Sequence, residues 1–349
     1  MSYKNLVIIN NEKISKKTNN SSKESFYCDN IDMKTIPEDL CKAFNLTFVA
    51  RNSKKERFHQ INLEKIEISS NIFSFLFSIL KTFKQEKARY LIISITPYTF
   101  FSYLLLFFFR KEVFVYLRSD GYEEYKAILG FVGPLIYHLM FKIITQKAKV
   151  ITCQERLYAK EKSNLVFPSE LNSLWLENIK KPLLEKPKLL YVGRIKTEKG
   201  IFSLVKILSE IFIDFEFSIV GDHNFKWPSN IKNNKKFTFH SFANNTSSLI
   251  NFYDNHNIFI LPSFTEAHPK VIDESLARLR PVIIFEEIKH VIGNRKGIFV
   301  SKREKKSLTD TIYFIMKNYS NIQESMKSNK LPTKKDFISQ MINIFGGYG

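Results

Sequence analysis

The sequence predicts an α/β protein made of two Rossmann-like, doubly wound domains. Three observations carry this prediction: a length beyond one ordinary core, strand-like apolar runs alternating with helical ones, and a Pro-rich charged stretch dividing two such series. At 349 residues the chain fits two domains of similar size. Its 44% hydrophobic content, with only 11 Gly and 11 Pro, supplies ample apolar surface and excludes global disorder.

Residues 4–10 read as a first strand, and the Asn-, Ser- and Lys-rich residues 11–23 read as an exposed loop. A helix is expected around 36–44, a strand at 46–50 and a helix around 72–84. Residues 90–109 carry no charge, which is length enough to span a bilayer at about 20 residues. Pro97 interrupts that run. It then reads as strand 90–95, helix 98–110 and a further strand 112–117 of a buried parallel sheet, with a transmembrane helix as the competing reading. An apolar helix near 131–146 and a strand at 149–153 close the series.

The stretch 167–188 holds Pro168, Pro182 and Pro187 among many charges and is the best linker, which places the boundary near Leu183. The rhythm then restarts with strands at 188–192, 216–220, 236–240, 258–262, 281–285 and 297–300, and helices at 200–212, 247–253, 270–279 and 308–319. The expected organisation is therefore an N-terminal domain over 1–182 and a C-terminal one over 183–330. Residues 331–349 add a terminal helix, apolar at Phe337, Ile338, Met341, Ile344 and Phe345, that packs back across the junction.

A formal net charge of +19 raises a polyanionic partner: nucleic acid, an anionic bilayer or a phosphate-bearing ligand. Much of the excess is Lys amid abundant Ile, Asn and Phe, and no nucleic-acid motif accompanies it, so no specific nucleic acid is expected. Cys28, Cys41 and Cys153 are scattered, odd in number and without metal-type spacing, and the N-terminus lacks a basic-then-apolar leader. A cytoplasmic setting follows as the expectation.

In open α/β sheets, ligands sit in the loops after strand carboxyl ends. The first such loop of the C-terminal half is Gly193-Arg194-Ile195-Lys196-Thr197-Glu198-Lys199-Gly200. It combines a Gly for a tight turn, several cations and a helix N-terminus, which together suit a diphosphate. Solvated loop charge is the competing reading. Gly221, before Asp222, allows close backbone approach at the end of the next strand. A later strand ends in Leu261-Pro262-Ser263-Phe264-Thr265-Glu266, followed by Ala267-His268-Pro269 and a helix carrying Glu274. Carboxylates so placed can accept hydrogen bonds from vicinal hydroxyls. Asp273, about 100° from Glu274 on a helix, is expected to face solvent. His268 either faces the diphosphate or simply ends the loop.

These pieces carry a resemblance. Tyr191-Val192-Gly193-Arg194, Glu198-Lys199-Gly200, Ile219-Val220-Gly221-Asp222, Leu261-Pro262-Ser263, Glu266, Glu274, Ala277 and Pro281-Val282 follow one another as in the C-terminal half of the GT-B glycosyltransferases. Family 4, the glycosyl transferases group 1 set, is what they most resemble. The resemblance implies that Arg194 and Lys199 hold a donor diphosphate, Glu266 contacts the transferred sugar and Glu274 binds the ribose. It further implies two Rossmann-like domains facing a central cleft, no obligatory metal or other cofactor, and retention of anomeric configuration. Ala267 and Arg280 stand where the family usually has Gly.

The N-terminal half resembles that family only in rhythm, and its first loop lacks the glycines many relatives carry. Its best site candidate is the loop 118–125. There Asp120 can orient an acceptor hydroxyl or touch the donor sugar, and Arg118 can aid phosphate binding, against the competing reading of turn and helix-cap residues. His138, in an apolar helix, is read as a core or edge residue. The expected partners are a nucleotide-sugar donor and a glycan or lipid-linked acceptor of bacterial surface polysaccharide assembly, with peripheral contact to an anionic membrane. The alternatives are a non-catalytic glycosyltransferase-like subunit, and a peripheral membrane or nucleic-acid binding protein on an α/β scaffold.

Overall fold

A computed structural model describes residues 4–18, 24–158, 163–221, 225–243 and 245–346. The chain forms two compact units, Met1–Phe167 with Lys335–Gly349, and Pro168–Lys334.

The first unit runs β1 (Lys4–Thr18), β2 (Glu24–Cys28), α1 (Asp32–Leu40), β3 (Phe44–Asn52), β4 (His59–Ile61), β5 (Ile66–Ser69), α2 (Ile72–Lys81) and β6 (Arg89–Ile93). It continues with α3 (Pro97–Phe108), β7 (Glu112–Leu117), α4 (Gly121–Leu129), α5 (Gly133–Thr145), β8 (Lys149–Thr152) and β9 (Asn164–Leu165). The strands β5-β3-β1-β6-β7-β8-β9 pair in parallel, as the unbroken apolar runs require. Thr96 and Thr99 form a capping box with Pro97 just inside the helix, which is why the uncharged run breaks into strand and helix there.

Two expectations change here. Residues 11–18 are not an exposed loop: β1 continues through Thr18, burying Ile14 and Ser15, and pairs antiparallel with β2, which pairs with β4. The remainder of that stretch, 19–23, lies outside the described residues. The loop 118–125 is largely helix, because Asp120 caps α4.

The second unit runs α6 (Ser173–Leu176), β10 (Lys188–Val192), α7 (Ile201–Ser209), β11 (Glu216–Val220), α8 (Ser229–Lys232), β12 (Phe237–His240), α9 (Thr246–Asn255) and β13 (Ile258–Leu261). It ends with α10 (Lys270–Ala277), β14 (Val282–Phe285), β15 (Ile298–Ser301), α11 (Lys305–Lys317) and α12 (Tyr319–Met326). Its sheet is parallel throughout, in the order β12-β11-β10-β13-β14-β15. The order reverses between β10 and β13, and this switch point is where open α/β sheets place a ligand crevice, at the carboxyl ends of the strands.

The division falls at Phe167 rather than near Leu183. Two buried arginines explain it. Arg278 donates to the carbonyls of Trp175, Glu177 and Asn178, and Arg280 donates to that of Lys180. Asp254 supplies their counter-charge, bound by both Nε and Nη2 of Arg278 at 2.9 and 2.8 Å. The Pro-rich stretch is thus stitched to the second unit. The terminal helix α13 (Lys334–Ile344) belongs to the first unit, where Phe337, Met341 and Ile342 join the core under α1. Helices α2, α3 and α5 cover the opposite face of that sheet through Phe75, Ile79, Tyr103, Leu106, Tyr137, Met140 and Ile144.

Candidate functional site

The crevice of the second unit collects most of the residues singled out in the sequence. The loop after β10 begins at Gly193, whose amide donates to Val220 O at 3.0 Å. A Cβ at Gly221 would lie 2.4 Å from Gly193 O and 2.9 Å from Ile195 Cδ1, so the two strand ends meet only because Gly221 is bare. The buried Tyr191 hydroxyl donates to Arg194 O at 2.8 Å and fixes the turn that presents the exposed Arg194 side chain. Gly200 adopts φ 65°, ψ 5°, the left-handed region, and a Cβ there would lie 1.8 Å from Pro262 O. Glycine at this point lets the loop after β10 touch the loop after β13.

That contact brings Lys199 to Glu266. Their Nζ and Oε1 lie 2.6 Å apart, and Ser263 Oγ donates to the same oxygen at 2.7 Å. A cation and a carboxylate far apart in sequence therefore share the mouth of the switch-point crevice. No side chain caps α7, whose N-terminus opens at Gly200, so its first amides add a positive end beside Lys199. His290 Nε2 lies 2.8 Å from Glu266 O and holds the backbone of this loop.

Arg303 is a residue that sequence reasoning missed. Its guanidinium stacks 4.2 Å from the Phe264 ring and 4.3 Å from that of Phe285, donates to Pro262 O at 3.0 Å and to Glu287 at 2.8 Å. It thereby clamps the loops after β13 and β14. Its Nη1 is buried with no hydrogen-bond partner among the described residues and lies 3.2 Å from where a Gly200 Cβ would stand. The residue sits beyond the last strand, where no sequence spacing connects it to Gly200.

Glu274 is buried inside α10, and its Oε2 accepts a 2.9 Å hydrogen bond from Tyr253 of α9. Burial pushes its carboxyl up to about 7, against the opposing effect of the Tyr253 hydrogen bond. The reverse holds for Asp273. Expected at the surface, it is 1% exposed, because α10 is enclosed on nearly every side from Ile272 to Ala277. Burial would raise its carboxyl, but His268, 3.3 Å away, and Arg295 together hold it below the ordinary carboxylate value. His268 is thus engaged with Asp273. Asp222 lies outside the described residues.

In the first unit, Asp120 accepts from the amides of Tyr122 and Glu123 as the cap of α4 and pairs with Arg156 at 3.0 Å. Arg118 lies 3.4 Å from Asp32. His138 is exposed rather than buried, with its Nδ1 2.9 Å from the Tyr122 hydroxyl.

Two parallel-sheet units with a basic loop and carboxylate meeting at a switch point define the class: the fold is that of the GT-B glycosyltransferases. Residues 176–331 match the family "Glycosyl transferases group 1", so the resemblance drawn from residues 191–282 holds across nearly the whole second unit. An uncharacterized glycosyltransferase of Haemophilus influenzae is 24% identical over 217 residues, covering 57% of this chain and 60% of the relative. The alignment thus spans less than two thirds of that relative's length. Among solved structures, Anabaena Alr3699/HepE in complex with UDP superposes with a TM-score of 0.68 at 10% identity over 98% of this chain and 99% of its own. Sucrose-phosphate synthase of Thermosynechococcus elongatus gives 0.64 at 15% identity, covering 98% of each chain. WaaG, a glycosyltransferase involved in lipopolysaccharide biosynthesis, gives 0.63 at 12% identity over 98% of this chain and 100% of its own.

Proposed function

We propose that this protein is a retaining glycosyltransferase of family 4. In this reading it moves a sugar from a nucleoside-diphosphate donor to a glycan or lipid-linked acceptor in bacterial surface polysaccharide assembly, at the cytoplasmic face of the membrane. The observation that carries the reading is the Lys199–Glu266 pair at the switch-point crevice, beside the uncapped start of α7. As the glycosidic bond breaks, negative charge grows on the departing diphosphate. Lys199, Arg194 and the α7 amides meet that charge, so the reading assigns no step to a metal. Glu266 then faces the transferred sugar once the diphosphate draws Lys199 toward itself. Glu274, neutral or charged near pH 7, presents its carboxyl to the ribose. HepE was solved with UDP and with UDP-glucose, which supports a uridine donor as the first to try. The lipopolysaccharide role named for WaaG supports the acceptor class.

Isothermal titration of nucleoside-diphosphate sugars into wild-type, Lys199→Ala and Glu274→Ala protein tests the donor site. Loss of a charge-assisted phosphate contact is expected to weaken binding by about tenfold or more. Unchanged affinity in both variants overturns the residue assignments. Donor binding without release of nucleoside diphosphate, in the presence of acceptor glycolipid, overturns the catalytic reading.

A further inference from the structure

The outer surface of the helical layer in the first unit is built the wrong way round for water. An amphipathic surface helix turns its polar face to solvent. Here α2 exposes Phe73 and Phe77, α3 exposes Phe101 and Phe108, the turn between α4 and α5 exposes Phe131, and the first turn of α5 exposes Leu135. Phe131 is 93%, Phe73 81% and Phe108 79% exposed. The helices α2, α3 and α5 are neighbours, and their opposite faces are all committed to the same sheet. The aromatic side chains therefore share one solvent-facing surface. Soluble proteins keep such surfaces to a few hundred Å² unless they bind something.

Cations border this surface. A recess of about 610 Å³ between the ends of α3 and α5 is lined by Phe107 and Phe108 together with Arg110, Lys111 and Lys147. Lys81 ends α2 and Lys142 lies on α5, and none of these five cations is in an ion pair among the described residues.

We propose that the outer face of α2, α3 and the α4–α5 hairpin docks on a bilayer of anionic phospholipid, with the phenylalanines among the acyl chains and the rim cations at the headgroup phosphates. A bilayer supplies hydrocarbon and negative charge together. A second copy of this chain supplies neither charge complement, since it carries the same rim and a net charge of +19. The face lies on the membrane and does not cross it. Residues Gly121–Thr145 are long and apolar enough to span, but the chain folds back at Gly130, φ 65° and ψ −143°. A Cβ at Gly133 would lie 2.0 Å from Tyr125 O, so α4 and α5 pack against each other, and α5 is tied to the sheet by Tyr137, Met140 and Ile144. The inference deepens the membrane part of the proposed function and is independent of the donor crevice.

Flotation of the full chain with vesicles of phosphatidylcholine, with and without phosphatidylglycerol, tests it. The protein is expected to float with the anionic vesicles, less so as salt rises. Phe131→Ser with Leu135→Ser is expected to lower the partition coefficient about tenfold or more. Arg110→Gln with Lys111→Gln and Lys147→Gln is expected to lower it on the order of a hundredfold. Both sets replace exposed or rim side chains, and both are expected to keep the wild-type melting temperature and its response to UDP. That response separates failure of this surface from failure of the donor site. Absence of flotation with anionic vesicles, equal binding to both vesicle types, or sedimentation as a dimer that Phe131→Ser dissociates each overturns the proposal.

Discussion

Replacing Glu274 with Gln removes a titration that the folded protein works against. The carboxyl, carried by α10 and buried against Tyr253 of α9, is pushed up from 4.5 to about 7 by that burial. As pH rises above 4.5, the unfolded chain releases a proton that the folded chain retains, so stability falls with pH and the loss levels off above 7. The raised value corresponds to about 3 kcal/mol at pH 7. Gln keeps the shape and can still accept the Tyr253 hydroxyl, but carries no proton to lose. Glu274→Gln is therefore expected to stabilise the second unit by about 3 kcal/mol near neutral pH, with the gain disappearing below pH 4.5. Urea unfolding followed by tryptophan fluorescence reads this unit directly. Both Trp residues, Trp175 and Trp227, lie in it, and Trp175 packs edge-on against Tyr253 with centroids 5.5 Å apart. Equal pH slopes for wild-type and variant, or a variant less stable at every pH, would refute the buried-carboxyl argument. The same substitution is expected to weaken nucleotide binding, a trade of function against stability at a binding site.

Other substitutions probe the supports of the crevice. Asp254→Asn leaves Arg278 and Arg280 buried without their carboxylate and is expected to cost about 3–5 kcal/mol in the same urea assay; a loss below about 1 kcal/mol would show that the backbone carbonyls alone satisfy the guanidinium groups. Gly200→Ala forces a side chain into a left-handed backbone and onto Pro262 O. It should lower stability by about 2 kcal/mol or more and reduce donor affinity, and wild-type behaviour in both would remove the loop contact from the site. Gly133→Ala should open the α4–α5 hairpin, read as faster amide exchange along both helices, because its methyl group meets the Tyr125 carbonyl.

The regular parts of the fold were legible because buried parallel strands are short apolar runs. Residues 112–117, 188–192 and 216–220 are strands with the bounds their sequence predicts. What escaped has physical reasons. The antiparallel ribbon of β1, β2 and β4 mixes a few buried apolar residues with many Lys, Asn and Ser in short strands, so no clear apolar period marks it. Asp273 was placed in solvent by helical geometry alone, which does not reveal that α10 is packed on several sides. Arg280 is marked in the sequence only as standing where the family usually has Gly and Arg278 carries no signal, whereas a carboxylate from α9 and carbonyls from residues 175–180 make the burial of both tolerable. Gly193, Lys199, Gly221 and Glu266, which strand-loop order singles out, lie together at the ends of their strands. Tyr253 and Arg303 are not singled out, since each reaches the site from an element whose own sequence carries no signal.

A thermal-shift panel of UDP, GDP, ADP and dTDP on wild-type and Lys199→Ala protein tests the claim that the second-unit crevice takes a nucleoside diphosphate. At least one nucleotide should raise the wild-type melting temperature, since a ligand bound only to the folded state stabilises it, and the rise should shrink or vanish in Lys199→Ala. No shift with any of the four, or an equal shift in both proteins, would contradict it.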